Sequence, residues 1–213
     1  MKYNALIFDL DGTLTDSGPG IKKAVAYALS HMDLPVPEED KLGVFVGPPL
    51  KDTFPKFGVP EERVDEAIAL FREYYLDKGI FDNTVYPGTV EFLERMKKEG
   101  RQLYVATTKP QAAAELVLNH FGLMPYFTAV AGATADHTRE KKEDIIAYLK
   151  TLASVSGTEL MIGDTVLDVT GSAMHGIPCM GVDWGYGNLD DMRRAGVIGI
   201  VSSWNELVKF LDE

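Results

Sequence analysis

Cysteine is almost missing from this sequence: Cys179 is the single one, so no internal disulfide can form. It lies in the apolar stretch Ile177-Pro178-Cys179-Met180 and reads as a buried core thiol in a reducing compartment. Histidine is scarce as well. The 4 histidines show no metal-ligand spacing, and His137 and His175 read as surface or helix residues. Lysine and arginine number 21 against 32 acids, a net charge of −11. That balance excludes a nucleic-acid polymer as partner, because neutralising its phosphates needs a basic footprint. It also means that any anionic substrate needs a local positive site. Long hydrophobic runs are missing, since none approaches the roughly 20 residues that span a bilayer. The N-terminus has neither the basic region nor the cleavage site of a secretory signal, so a cytoplasmic protein without membrane contact is expected.

What remains is an ordinary globular composition, 46% apolar and 25% charged over 213 residues. That length suits one large domain, or one domain with a smaller insertion. Short apolar runs predict strands at Ala5–Phe8, Leu103–Thr107, Ala129–Ala131, Leu160–Ile162, Cys179–Val182 and Ile198–Val201. Helical patterns separate them at Val90–Glu99, Gln111–Phe121, Lys142–Thr151, Val166–His175 and Asn205–Leu211. Alternation of this kind predicts an α/β fold, a doubly wound parallel sheet with helices on both faces.

One segment breaks the alternation. Between about Asp16 and Asn83 no strand is evident. Ile21, Val25, Leu29 and Met32 recur at helical spacing, as do Val64, Ile68, Phe71 and Tyr75. Prolines at 35, 37, 48, 49, 55 and 60 cut the stretch into short helices. The pattern predicts a small all-helical domain over residues 16–83, inserted into a core of residues 1–15 and 84–213.

Ligands of open parallel sheets bind beyond the carboxyl ends of the strands. Asp9 and Asp11 follow the first predicted strand, and Thr107-Thr108-Lys109-Pro110 closes the second. Lys141-Lys142 opens the helix after the third. Gly163-Asp164 follows the fourth, with Asp168 at the start of the next helix. Singly, each has an ordinary role as a turn former, a helix cap or a solvated charge. Together they place acids, a hydroxyl and a lysine at one edge of one sheet. Carboxylates without cysteine or histidine form a hard oxygen set suited to Mg²⁺, which also favours substrate phosphate. A hydroxyl and a lysine beside it match the remaining phosphate oxygens. Asp9 is then placed to attack phosphorus, and Asp11 to protonate the leaving oxygen and later deprotonate water. The metal and the lysine are expected to keep Asp9 ionised.

These residues resemble the motifs of the haloacid dehalogenase superfamily, and specifically its phosphatases. Asp9-Leu10-Asp11-Gly12-Thr13 is similar to the first motif, Thr107 to the second, Lys142 to the third and Gly163-Asp164-Thr165-Val166-Leu167-Asp168 to the fourth. The resemblance covers the whole chain, with the helical insertion as the cap of the phosphoglycolate-phosphatase-like branch. It implies a Rossmann-like core, Mg²⁺ and an aspartyl-phosphate intermediate. It assigns Asp9, the Asp11 carbonyl and Asp164 as metal ligands, with Asp168 as an outer ligand or support. Where that branch often carries Asp-Gly-Thr-Arg, this chain reads Asp136-His137-Thr138-Arg139, and counting from there selects Lys142 over Lys141.

The second aspartate, Asp11, argues against dehalogenation and phosphonate cleavage, and Thr13 favours hydrolysis over sugar phosphomutation. A phosphomutase and a catalytically silent binding module stay as alternatives. Thr107, Thr108, Lys142, Gly47 and Lys51 are the candidate substrate-binding residues. Gly47-Pro48-Pro49-Leu50-Lys51 is either a loop facing the active site or a rigid turn joining helices. Trp184 and Tyr186, in a stretch similar to a 5′-nucleotidase subgroup, either stack on a base or pack. The expected partner is a small phosphorylated metabolite, a phosphoglycolate-like acid or a nucleoside 5′-monophosphate, and the expected state a monomer or weak homodimer.

Overall fold

Ala5-Leu6-Ile7-Phe8 is apolar at every position, and in the computed structural model all four side chains are fully buried in strand β1 (Ala5–Phe8). The structure describes residues 2–134, 136, 138–153 and 157–213. Successive side chains of a strand point to opposite faces. Here Leu6 and Phe8 join one apolar core, and Ala5 and Ile7 join another. A sheet covered on both faces needs such a continuous run.

After β1 the chain forms β2 (Thr15–Asp16), α1 (Gly18–His31), α2 (Leu50–Thr53), α3 (Val64–Asp77), β3 (Thr84–Val85) and α4 (Thr89–Lys98). It continues as β4 (Gln102–Pro110), α5 (Gln111–His120), β5 (Ala129–Ala133), α6 (Lys142–Leu152), β6 (Glu159–Gly163) and α7 (Val166–Ala173). The last elements are β7 (Cys179–Val182), α8 (Leu189–Ala195), β8 (Gly199–Val201) and α9 (Trp204–Asp212). The main sheet is wholly parallel, in the order β5-β4-β1-β6-β7-β8. Helices α4, α5 and α9 contribute to the core on one face, and α6, α7 and α8 to the core on the other. Cys179 is buried there with a free thiol, and burial pushes that thiol's pKa up.

Strand order turns around at β1, so the crevice of this doubly wound sheet lies beyond its carboxyl end. The segment between β2 and β3 is helical as expected. The apolar stripes of α1 and α3 pack together and bury Ile21, Val25, Leu29, Phe71 and Tyr75.

Three elements escape sequence reading. Strands β2 and β3 are two residues each and pair antiparallel, Thr15 with Val85 and Asp16 with Thr84, where the helical segment leaves and rejoins the sheet. Helix α8 is short and charged, and it is defined by its ends rather than by an apolar stripe. The Asn188 side chain accepts from the Asp190 and Asp191 amides, and Gly196 closes the helix at φ +94°. No helix among the described residues is long and apolar enough to cross a membrane.

Candidate active site

Asp9 is the first residue beyond β1. Its amide donates to the Ile162 carbonyl at 2.9 Å, continuing the ladder, while its Oδ1 accepts from the Leu10 amide at 2.7 Å. The chain then turns at Gly12 (φ +84°), whose α-carbon faces the Asp164 carboxylate. A β-carbon there would stand 2.4 Å from Asp164 Oδ2, so only glycine admits this approach. Thr13 Oγ1 donates to Asp164 Oδ1 at 3.1 Å and the Tyr186 amide to Oδ2 at 2.9 Å.

Asp164 follows β6, and Asp168 lies in the first turn of α7. The Asp168 Oδ2 accepts from the Thr165 amide at 3.0 Å and from its hydroxyl at 2.8 Å, completing a capping box. From α6, Lys142 Nζ reaches Asp168 Oδ1 at 2.7 Å, Asp9 Oδ1 at 3.1 Å and the Ala106 carbonyl at 2.9 Å. Its neighbour Lys141 is exposed. The geometry therefore brings Lys142 to the aspartates and leaves Lys141 outside.

Strand β4 runs further than predicted, to Pro110, with a register irregularity between Ala106 and Pro110. A bulge of this kind re-aims side chains at a sheet rim. Thr107 is buried and hydrogen-bonds Asp9. Lys109 lies under the insertion, where its Nζ contacts Asp11 Oδ1 and Oδ2 at 3.1 and 3.0 Å and Tyr75 Oη at 2.5 Å. Sequence reading singled out neither Lys109 nor Tyr75 for the site. Lys109 sits inside the Thr-Thr-Lys-Pro stretch, a usable signal, but Tyr75 looks like one more position on the apolar stripe of α3.

Burial is the largest influence on the charges. It raises the Asp9 pKa to about 6, with Asp168 adding to the rise and Lys142 and Thr107 opposing it. Metal and lysine together are expected to keep Asp9 ionised; Lys142 by itself offsets only part of the desolvation. Asp164 is pushed further, to about 8, by burial and then by Asp168 and Asp9. Burial pulls both lysines down, but Asp168 and Asp9 hold Lys142 above its usual range, and Asp11 and Tyr75 do the same for Lys109.

Asp9, Asp11, Asp164 and Asp168 are buried together with Lys109 and Lys142. With all four acids ionised against two lysines the excess is two negative charges, which one divalent cation balances. Carboxylate oxygens of Asp9, Asp164 and Asp168 lie within 4.8 Å of one another. Asp168 Oδ1 touches Lys142 but, among the described residues, has no aligned hydrogen-bond donor. This all-oxygen donor set fits Mg²⁺. The Asp11 side chain stands apart from the trio, engaged by Lys109.

The remaining candidates lie further out. Thr108 Oγ1 donates to the Gly47 carbonyl at 2.9 Å, linking β4 to the insertion. Lys51 pairs with Glu140 and is half exposed. Gly47, Lys51 and Thr108 line a cavity together with Asp11, rather than touching the aspartate trio. Tyr186 hydrogen-bonds Asp16 through its hydroxyl, and the Trp184 indole donates to the Thr13 carbonyl at 3.1 Å while packing on Trp204. Both aromatics are engaged in packing. His175 bonds the Glu143 carbonyl at 2.8 Å, away from the acids, and His137 lies outside the described residues.

Comparison with known proteins agrees with this geometry. Residues 6–182 match the haloacid dehalogenase-like hydrolase family. A protein of Pseudomonas aeruginosa named 5′-nucleotidase is 37% identical over 91% of this chain and 88% of its own length. One of Mycobacterium tuberculosis named tyrosine-protein kinase PtkA is 40% identical over 95% of this chain and 70% of its own length. The crystal structure of a predicted phosphatase from Clostridium acetobutylicum superposes over 100% of both chains with a TM-score of 0.94 at 40% identity. Sheet, buried acid cluster and sequence likeness converge, and the chain belongs to the haloacid dehalogenase-like hydrolase family.

Proposed function

We propose that the chain is a Mg²⁺-dependent phosphatase that hydrolyses small phosphate monoesters through a phosphoryl group carried on Asp9. The supporting observation is the buried set at the carboxyl end of β1: Asp9, Asp164 and Asp168 around Lys142, with Asp11 on Lys109. In this reading a carboxylate oxygen of Asp9 attacks phosphorus as the ester P–O bond breaks. Asp11 delivers its proton to the departing oxygen. Asp11 then takes a proton from water, the water oxygen bonds phosphorus, the bond to Asp9 breaks, and inorganic phosphate leaves. Asp9, Asp164, Asp168 and the Asp11 carbonyl would hold Mg²⁺, which supplies charge neutralisation at the phosphoryl oxygens. Lys142 and Thr107 hold the acceptor side, and the segment over residues 16–83 acts as a cap that excludes bulk water. The substrate is a small phosphorylated metabolite met in the cytoplasm by a monomer or weak homodimer.

The named relatives include both hydrolase and transferase names, so the test must identify the phosphoryl acceptor. Incubation of a monoester in ¹⁸O-water with Mg²⁺ is expected to yield inorganic phosphate carrying the label, and excess chelator to stop its release. Transfer to a second hydroxyl without labelled phosphate overturns hydrolysis.

Metal binding should also be visible without turnover. Asp164 and Asp9 keep protons at higher pH in the folded chain than in the unfolded one. Between pH ~4 and ~8 the metal-free folded state therefore binds more protons, and its stability falls as pH rises through that window. A cation must displace those protons to bind. The Mg²⁺-induced rise in Tm is expected to be small near pH 5.5 and to grow toward pH 8. A shift that shrinks with rising pH contradicts this assignment of the metal site.

A further inference from the structure

A cavity of about 400 Å³ separates the helical segment from the sheet. Its inner end is Asp11 and Lys109, the edge of the proposed phosphoryl site, and its walls belong mostly to the insertion. Ile21, Ile68, Phe71 and Tyr75 contribute one wall, and the Pro48-Pro49 turn contributes another. Phe71 and Tyr75 lie one turn apart on α3 with rings 5.2 Å apart and 17° from parallel, both buried. The volume falls in the range of roughly 300–1,000 Å³ typical of pockets for drug-sized ligands, well beyond the needs of a two-carbon acid.

Of the three cations that line the cavity, the two lysines are committed. Lys109 holds Asp11 and Tyr75, Lys51 holds Glu140, and Arg72 stands on the exposed side of α3. A second anion on the departing alcohol would meet apolar side chains and lysines already paired with Asp11 and Glu140, with Arg72 as the exposed cation of the lining. An apolar, planar group would meet two rings and two prolines.

We propose that the alcohol part of the substrate carries a planar ring, which lies in this cavity against Phe71, Tyr75 and the Pro48-Pro49 turn. The proposal rests on the phosphatase reading of the same site and narrows its substrate class, to the disadvantage of phosphoglycolate-like acids. Two sources supply the chemistry: an aryl phosphate, and a nucleoside 5′-monophosphate, where ribose stands between ring and phosphate.

The test compares kcat/KM for four monoesters in Mg²⁺: phenyl phosphate, adenosine 5′-monophosphate, ribose 5-phosphate and 2-phosphoglycolate. At least one ring-bearing substrate should exceed both others on the order of ten- to a hundredfold, the gain from burying a ring. The better ring-bearing substrate identifies the source. Phe71→Ala should shrink that advantage toward parity, whereas Phe71→Leu, which keeps apolar bulk, should retain part of it. Equal rates across the panel, or a preference for phosphoglycolate, overturn the proposal and leave the phosphatase reading standing. An unchanged ring preference in a folded Phe71→Ala removes Phe71 from the wall and overturns the placement. Phosphate release from none of the four overturns both readings.

Discussion

Asp9→Asn is expected to lower kcat for phosphate release by ~10⁴-fold or more while leaving the fold intact, as removal of a covalent nucleophile does. Asparagine has the same shape and keeps an acceptor for the Leu10 amide, so the turn after β1 has no reason to rearrange. What disappears is the oxygen that bonds phosphorus and one of three metal-facing carboxylates. Stability should not follow activity. Burial already disfavours the Asp9 charge, raising its pKa to about 6. The metal-free variant is therefore expected to melt no lower than the wild type at pH 8, with a smaller Mg²⁺-induced Tm shift. Steady-state kinetics and thermal melts on the same preparation read both quantities. A variant with wild-type kcat sinks the covalent mechanism.

Lys142→Met should damage both fold and activity. Lys142 is buried, and its ammonium is the counter-ion of Asp9 and Asp168 at 3.1 and 2.7 Å. Methionine fills much of the space but leaves two buried carboxylates uncompensated. Removing one partner of a buried ion pair costs about 3–5 kcal/mol. For a chain of this size that corresponds to a Tm lower by roughly 6–20 °C. The deficit should be smaller at pH 5 than at pH 8, because protonating Asp9 relieves the uncompensated charge. Mg²⁺ should recover part of the lost Tm. Activity is expected to fall by at least ~10³-fold, since the phosphoryl oxygens lose their fixed cation. A melt within about 2 °C of the wild type together with unchanged kcat/KM refutes the central place given to this lysine.

Much of this arrangement is legible from local pattern. Ala5–Phe8, Leu160–Ile162 and Cys179–Val182 are apolar without alternation because both faces of the sheet are covered, and that feature is visible residue by residue. Three of the four acids stand just beyond a strand, so knowing the strand ends is enough to nominate Asp9, Asp11 and Asp164, and Asp168 follows in the first turn of α7. The helical insertion is legible for the same reason, since the stripes of α1 and α3 carry a local period.

Helix α8 and the pair β2–β3 are not legible in this way. They lack any repeating apolar pattern and owe their existence to an asparagine cap and to the meeting of residues about 70 positions apart. Counting along the sequence already points to Lys142 over Lys141, and the tertiary structure supplies the physical reason, since of these adjacent lysines only the first residue of α6 turns inward. The tertiary structure alone joins Tyr75 to Lys109 and Asp11, because α3 and β4 meet only after the insertion folds onto the sheet. It also gives Trp184 and Tyr186 their packing partners, Trp204 and Asp16. Local hydrophobic period determined which elements form and which acids stand at their ends. Which side chains face one another across the site was decided by packing between distant segments, whose distances no local spacing encodes.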